Sequence, residues 1–191
     1  AELDVRKQVS DQEQRSPGEH QSGGSKQSAK STDNLEVYFL RELANEGHAD
    51  AQAYLGLMYV TGKDRSYSDA VIWFRKAAAQ GNGYGQAGLG WMYAMGRGVL
   101  QSDTEAVSWF RKAAEQGNAI GQFNVGMMYL HGIGVPQSDT EAAMWFRKSA
   151  EQGNSEAILL LCAMDAQGRQ SDADPVDCLR KSIAPAIAAM W

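Results

Sequence analysis

QSDTEAVSWFRKAAEQGN, residues 101–118, is written again almost letter for letter as QSDTEAAMWFRKSAEQGN, residues 137–154, with the second copy starting 36 positions after the first. Ser102-x-x-Glu105 and Ser138-x-x-Glu141 have the form of a capping box, in which the serine and glutamate side chains each satisfy an orphan amide at a helix start. Behind the box, Ala106, Trp109, Phe110 and Ala113 fall at i, i+3, i+4 and i+7, the stripe of a helix that buries one face. Gly117 then stands just past the predicted helix end, where a left-handed conformation closes the last turn. Every repeated letter has a structural task, so the duplicated stretch is frame and not chemistry.

The period extends outward. Trp73, Trp109 and Trp145 each precede Phe-Arg-Lys, and Gly81, Gly117 and Gly153 keep the same interval of 36, as do Gly90 and Gly126. A fixed period of this size marks stacked supersecondary units. Each unit reads as two helices. The first carries LGLMY (residues 55–59), LGWMY (89–93) or VGMMY (125–129), which places Gly56, Gly90 and Gly126, and Tyr59, Tyr93 and Tyr129, on one buried face. These helices are expected to stop at Gly62, Gly96, Gly132 and Gly168. The second helix is the opening stretch, with Trp73, Trp109 and Trp145 in its core stripe. Ser66-x-x-Asp69 and Ser171-x-x-Asp174 are shorter-armed versions of the cap.

Residues 1–33 are rich in Gln, Ser, Lys, Glu and Gly, with Leu3, Val5 and Val9 as the sizeable apolar side chains. Such a segment cannot offset its ordering entropy and reads as a disordered leader or linker. The array then occupies 34–191: a half unit over 34–48, repeats over 49–82, 83–118 and 119–154, and a degenerate repeat with its cap over 155–191. The net charge of −5 opposes nucleic-acid binding, which needs a basic surface. Charges and aromatics interrupt every apolar run, so none is long enough to span a bilayer. The chain opens on Ala1 without a basic-then-apolar secretion signal, as a processed chain does and as a trimmed one does.

Little in the sequence resembles a catalytic or metal site. GRGV (96–99) and GIGV (132–135) follow helices and lack the lysine of a phosphate loop. His20, His48 and His131 show no ligand spacing, and Glu105 and Glu141 are caps in different units. Arg75, Arg111 and Arg147 recur behind each tryptophan and read as a solvated outer face. Cys162 and Cys178 are too few for a disulfide framework, and the sequence leaves open whether they bond inside the last hairpin. No metal, cofactor or enzyme activity is expected.

What varies between units is one face of the first helices. Its positions read Asp50, Tyr54, Leu57, Thr61; Tyr84, Gly88, Trp91, Met95; Ile120, Asn124, Met127, His131; and Glu156, Leu160, Ala163, Gln167. The centre is apolar and aromatic and the ends are polar, the composition of an interaction hot spot. Tyr54, Leu57, Tyr84, Trp91, Met95, Ile120, Asn124, Met127 and His131 are therefore the candidate partner-binding residues. The bland alternative is that they pack between neighbouring units.

The patterns Ala-x-x-x-Leu-Gly-x-x-Tyr, Gly-x-Gly-Val, Asp-x-x-x-Ala-x-x-Trp and Lys-Ala-Ala-x-x-Gly-Asn resemble the Sel1-like repeat, a relative of the tetratricopeptide repeat with a longer loop between its helices. The resemblance covers roughly residues 35–182. It implies an all-α, right-handed α-solenoid of antiparallel helix pairs, about four units plus the starting half unit, with the first helices lining a concave groove. The first full unit departs in lacking Gly-x-Gly-Val, and the last in placing Cys162, Asp165 and Cys178 where Gly126, Tyr129 and Trp145 stand. The cysteine positions of the family's secreted, disulfide-bridged branch are absent. The resemblance implies a non-catalytic module that binds a protein or peptide, as a bacterial adaptor or an immunity protein against a secreted effector, monomeric and periplasmic or otherwise exported. The alternatives are a regulatory segment of a larger envelope or signalling protein, and a carbohydrate- or peptidoglycan-binding or enzymatic module.

Overall fold

The computed structural model describes residues 27–63 and 65–166. Among them it contains helices and no strands: α1 (Gln27–Asn45), α2 (Ala49–Thr61), α3 (Tyr67–Ala79), α4 (Gly83–Met95), α5 (Asp103–Glu115), α6 (Ala119–His131), α7 (Asp139–Glu151) and α8 (Ser155–Ala166). Each helix packs chiefly on its neighbours in sequence, so α2/α3, α4/α5 and α6/α7 form hairpins that stack one on the next. The result is an all-α solenoid that opens on the lone helix α1. That helix starts at Gln27, so residues 27–33, expected to belong to the disordered leader, are helical. Residues 1–26 and 167–191 lie outside the described residues, and with them the rest of the leader, Gly168, the Ser171 cap and Cys178.

Ser66, Ser102 and Ser138 each accept a hydrogen bond from the backbone N–H three residues on, at 3.4, 3.3 and 3.2 Å. The second arm of the expected capping box is missing. The serine N–H that Glu105 or Glu141 would receive instead donates to a tyrosine carbonyl of the preceding helix: Ser66 to Tyr59 at 3.1 Å, Ser102 to Tyr93 at 3.1 Å and Ser138 to Tyr129 at 2.9 Å. The hairpin closes through that bond, which leaves the glutamates no orphan amide to reach.

The helices α2, α4 and α6 stop at Gly62, Gly96 and Gly132 as expected, but in two conformations. Gly96 and Gly132 take the left-handed conformation, whereas Gly62 is extended (φ −66°). Gly117, at φ 83°, sits where a left-handed residue was expected. In the Gly-x-Gly-Val loops the second glycine is forced by contact: a Cβ on Gly98 would lie 2.4 Å from the Tyr67 carbonyl oxygen, and one on Gly134 2.7 Å from that of Asp103. The loops therefore rest on the start of the second helix of the unit before.

The core differs from the expectation in its central ring. Leu55, Leu89 and Val125 are buried as the repeat pattern requires, but the deeply buried aromatic of each second helix is phenylalanine, with Phe110 only 1% exposed. Trp73, Trp109 and Trp145 are half-buried. Each packs against the apolar cluster of the unit before it and carries on its ring the ammonium of Lys76, Lys112 or Lys148, 4.0–4.3 Å from the centroid. The shared glycines make room for the phenylalanines. A Cβ on Gly90 would fall 2.7 Å from the Phe110 ring, and Gly56 and Gly126 stand in the same relation to Phe74 and Phe146.

A second repeated element is polar. Gln52, Gln86 and Gln122 are buried, and each accepts from the glutamine that ends the following second helix, Gln80, Gln116 or Gln152, at 2.8 Å. Gln52 and Gln122 also donate to Ala44 and Ala114, the last turn of the preceding second helix, at 2.9 and 3.3 Å. Buried amides are stabilising only when satisfied in this way.

These placements rank the aromatics. Phe110→Ala should cost about 3–5 kcal/mol in denaturant unfolding, because the stack cannot close over the cavity. Trp109→Ala, which starts half-exposed, should cost clearly less. Gly90→Ala should also destabilise, by about 1–3 kcal/mol, since overpacking against a fixed ring outweighs the gain in helix propensity.

Candidate interaction surface

Consecutive first helices touch, α2 with α4 and α4 with α6, whereas consecutive second helices make few contacts or none. In a curved stack the crowded row is the inner one, so the first helices run along the inside of the bend. Their composition is distinctive: α4 and α6 contain no Asp, Glu, Lys or Arg over their thirteen residues each, and α2 contains Asp50 alone. Asp50 is engaged, its carboxylate accepting from the Asn82 side chain at 2.6 Å. Over α2, α4 and α6 the inner row is therefore almost uncharged in a protein whose net charge is −5, whereas α8 carries Glu156 and Asp165.

The variable stripe divides into two sets. Tyr54, Leu57, Tyr84, Met95 and Ile120 are exposed, Tyr84 and Met95 to 54% and Ile120 to 47%, and His131 is exposed beside them. Trp91, Met127 and Asn124 are half-buried. Trp91, expected at the heart of the stripe, packs against the apolar clusters on both sides of α4, and Met127 packs into the cluster around Phe146. The Asn124 side chain donates to the Ile120 carbonyl at 2.8 Å. Gly88 has a packing reason as well, because a Cβ there would lie 2.6 Å from the Phe74 ring of the unit before. In α4 and α6 the middle of the stripe thus holds units together and its two ends face solvent, whereas in α2 the middle, Tyr54 and Leu57, is itself exposed.

The outer row carries Arg75 and Arg111, both exposed, and each donates to the hydroxyl of a tyrosine in the next unit, Arg75 to Tyr93 at 3.4 Å and Arg111 to Tyr129. They brace successive units from outside. Among the described residues no group of three or more His, Cys, Asp or Glu is gathered as a metal site would require, and no helix is long and apolar enough to cross a membrane. Cys162 is buried and disulfide-bonded; the other cysteine of the sequence, Cys178, lies outside the described residues.

Two features were not visible in the repeat pattern. The glutamine ladder recurs at the unit spacing, yet glutamine is so ordinary on a helix surface that its burial gave no signal. The second is a cluster of Tyr67, Trp91 and Arg97, which belong to a helix start, the inner row and a loop, and are joined only by the stacking.

The geometry defines a helical-repeat scaffold whose inner row is almost uncharged over α2, α4 and α6. The profile of the Sel1 repeat matches residues 49–82, 83–118 and 119–154, and the chain belongs to the Sel1 repeat family. A Sel1 repeat protein from Oxalobacter formigenes superposes with a TM-score of 0.71 at 28% identity, over 76% of this chain and 59% of that one. The protein c5321, a protective antigen of uropathogenic Escherichia coli strains with an SLR fold, gives a TM-score of 0.65 at 37% identity, over 79% of this chain and 33% of that one. Helicobacter pylori cysteine rich protein B shares the fold at 20% identity, with a TM-score of 0.55. The chain thus spans less than two thirds of the first two. No curated protein matches it. Sel1 repeats generally form non-catalytic scaffolds and typically mediate protein–protein interaction.

The division of the stripe is open to measurement. Trp91→Glu should lower the unfolding midpoint substantially, because it places a charge in an inter-unit contact. Tyr84→Glu, on the same helix but exposed, should change stability by no more than about 0.5 kcal/mol. Circular dichroism melts of the two variants side by side check this.

Proposed function

We propose that the protein is a non-catalytic interaction module whose inner row receives a protein or peptide partner. The observation that carries the reading is the set of exposed apolar side chains, Tyr54, Leu57, Tyr84, Met95 and Ile120, on helices almost free of charge. Contiguous exposed apolar surface with a polar rim is costly to leave in water and characteristic of interfaces. Trp91, Met127 and Asn124 form the half-buried floor of this surface, and His131 stands at its rim. The role that fits a compact array of this kind is that of an adaptor, or of an immunity protein that occupies a secreted effector. The disulfide at Cys162 supports an exported location, since such bonds persist in oxidising compartments.

A photo-crosslinking residue introduced singly at Tyr84 or Ile120, in the cell that makes the protein, tests the reading against Ile72 and Met144, exposed positions on the second helices. The inner positions should each trap the same partner and the outer ones should not. Tyr84→Glu combined with Ile120→Glu should abolish that complex while leaving the melting temperature nearly unchanged, because both side chains are exposed. Capture from Ile72 and Met144 alone would move the interface to the outer row.

A further inference from the structure

One cluster, built around Trp91 of the inner row, does not belong to the repeating frame. Arg97, in the loop after α4, donates through Nη1 to the Tyr67 hydroxyl at 2.8 Å. Its guanidinium carbon lies 5.0 Å from the Tyr67 ring centroid and 5.1 Å from that of Trp91. At the same positions one unit later stand Asp103, Ile133 and Met127, so all three members of the cluster are replaced together. The loop there keeps its glycines and its fold without them, Gly132 and Gly134 having the φ values of Gly96 and Gly98 to within a few degrees (66° and 67° against 62° and 70°). The cluster is therefore not needed to shape the loop.

Its chemistry points outward. Arg97 is exposed and forms no ion pair with a carboxylate of the described residues. One of its five N–H donors is taken by Tyr67, and the remainder of the planar fork matches a carboxylate. Stacking on two rings fixes the guanidinium in advance, which removes part of the ordering cost that a free arginine meets on binding. On either side in sequence are Met95, exposed to 54%, and Leu100, exposed to 90%. In sequence, then, the held cation stands between two exposed aliphatic side chains, just past the end of a helix that is itself uncharged.

We propose that Arg97, held by Tyr67 and Trp91, is the recognition point for a carboxylate flanked by aliphatic side chains on a peptide segment of the partner. The proposal rests on the reading of the inner row as the binding surface and adds the chemistry of what docks there. Charge complementarity selects the occupant: the Arg97 cation asks for an acid, and Met95 and Leu100 ask for apolar neighbours to it.

The test uses a displayed library of random short peptides selected on the whole chain, followed by calorimetry on the winners. Selected sequences should be enriched in Asp or Glu next to Leu, Ile, Val or Met. Replacing that acid by its amide should weaken binding about tenfold or more, the scale of a charged hydrogen-bonded contact. Arg97→Gln should cause the same loss with the parent peptide and no additional loss with the amide peptide, since coupled partners are not additive. Arg97→Lys, which keeps the charge without the fork, should fall between. The melting temperature of Arg97→Gln should match that of the unaltered protein. Winners without an acidic residue, or unchanged affinity in Arg97→Gln, would overturn the proposal. If those same winners lose binding in Tyr84→Glu, the inner-row reading survives without Arg97. A library that yields no binder removes both.

Discussion

The stack depends on a ring set against a bare backbone. Phe74, Phe110 and Phe146 each lie on a glycine of their own unit's first helix, at a separation that leaves no room for a Cβ. The close approach brings the two helices of a hairpin together, and the closed hairpin lets the serine N–H reach the tyrosine carbonyl across it. Glycine costs helix propensity of about 1 kcal/mol at each such position. Burial of a phenylalanine, worth about 1.5–3 kcal/mol, offsets that cost. Phe74 extends the same logic between units, because it also occupies the space that a side chain at Gly88 would need.

With the interior fixed in this way, each remaining aromatic acquires a different office. The tryptophans move to the seams between units, half-covered and capped by lysine ammonium groups. The tyrosines offer a carbonyl to the hairpin and, at Tyr93 and Tyr129, a hydroxyl to an arginine of the unit before. What the frame does not consume is left on the inner row, where exposed apolar side chains meet almost no charge. That residue of unused chemistry is the reason to place binding there and not on the outer helices, whose exposed apolar side chains stand among lysines, arginines and glutamates.

Most of the fold was legible because repetition exposes structural letters. The 36-residue interval, the Ser-x-x-Glu starts and the Gly after each second helix gave the helices, their order and their ends. Repetition alone could not rank adjacent letters. Trp109 and Phe110 recur equally, and a helical wheel puts both near the core; only the position of Gly90 decides that the phenylalanine goes in and the tryptophan stays at the seam. The variable stripe had the opposite difficulty. Variation between units goes with exposure at Tyr84 and Ile120, which lie on an open surface, but not at Trp91 and Met127, which differ between units although both are half-buried in the apolar seams. The Arg97 cluster lay outside sequence reasoning altogether, since its members come from three elements that only the stacking brings together.

The buried glutamines have a consequence for how the array comes apart. Each amide binds the helix that follows it in its own unit, and Gln52 and Gln122 also reach back to the end of the unit before. A unit that peeled away would break the bond that Gln52 or Gln122 makes across the seam, a net loss of about 0.5–1.5 kcal/mol, on top of the apolar contact it gives up. In a linear chain of weakly stable elements such a penalty acts as nearest-neighbour coupling, which suppresses fraying from the ends. The solenoid should thus melt as a block, keeping its curvature until it is lost all at once, so that the inner row is presented whole or not at all.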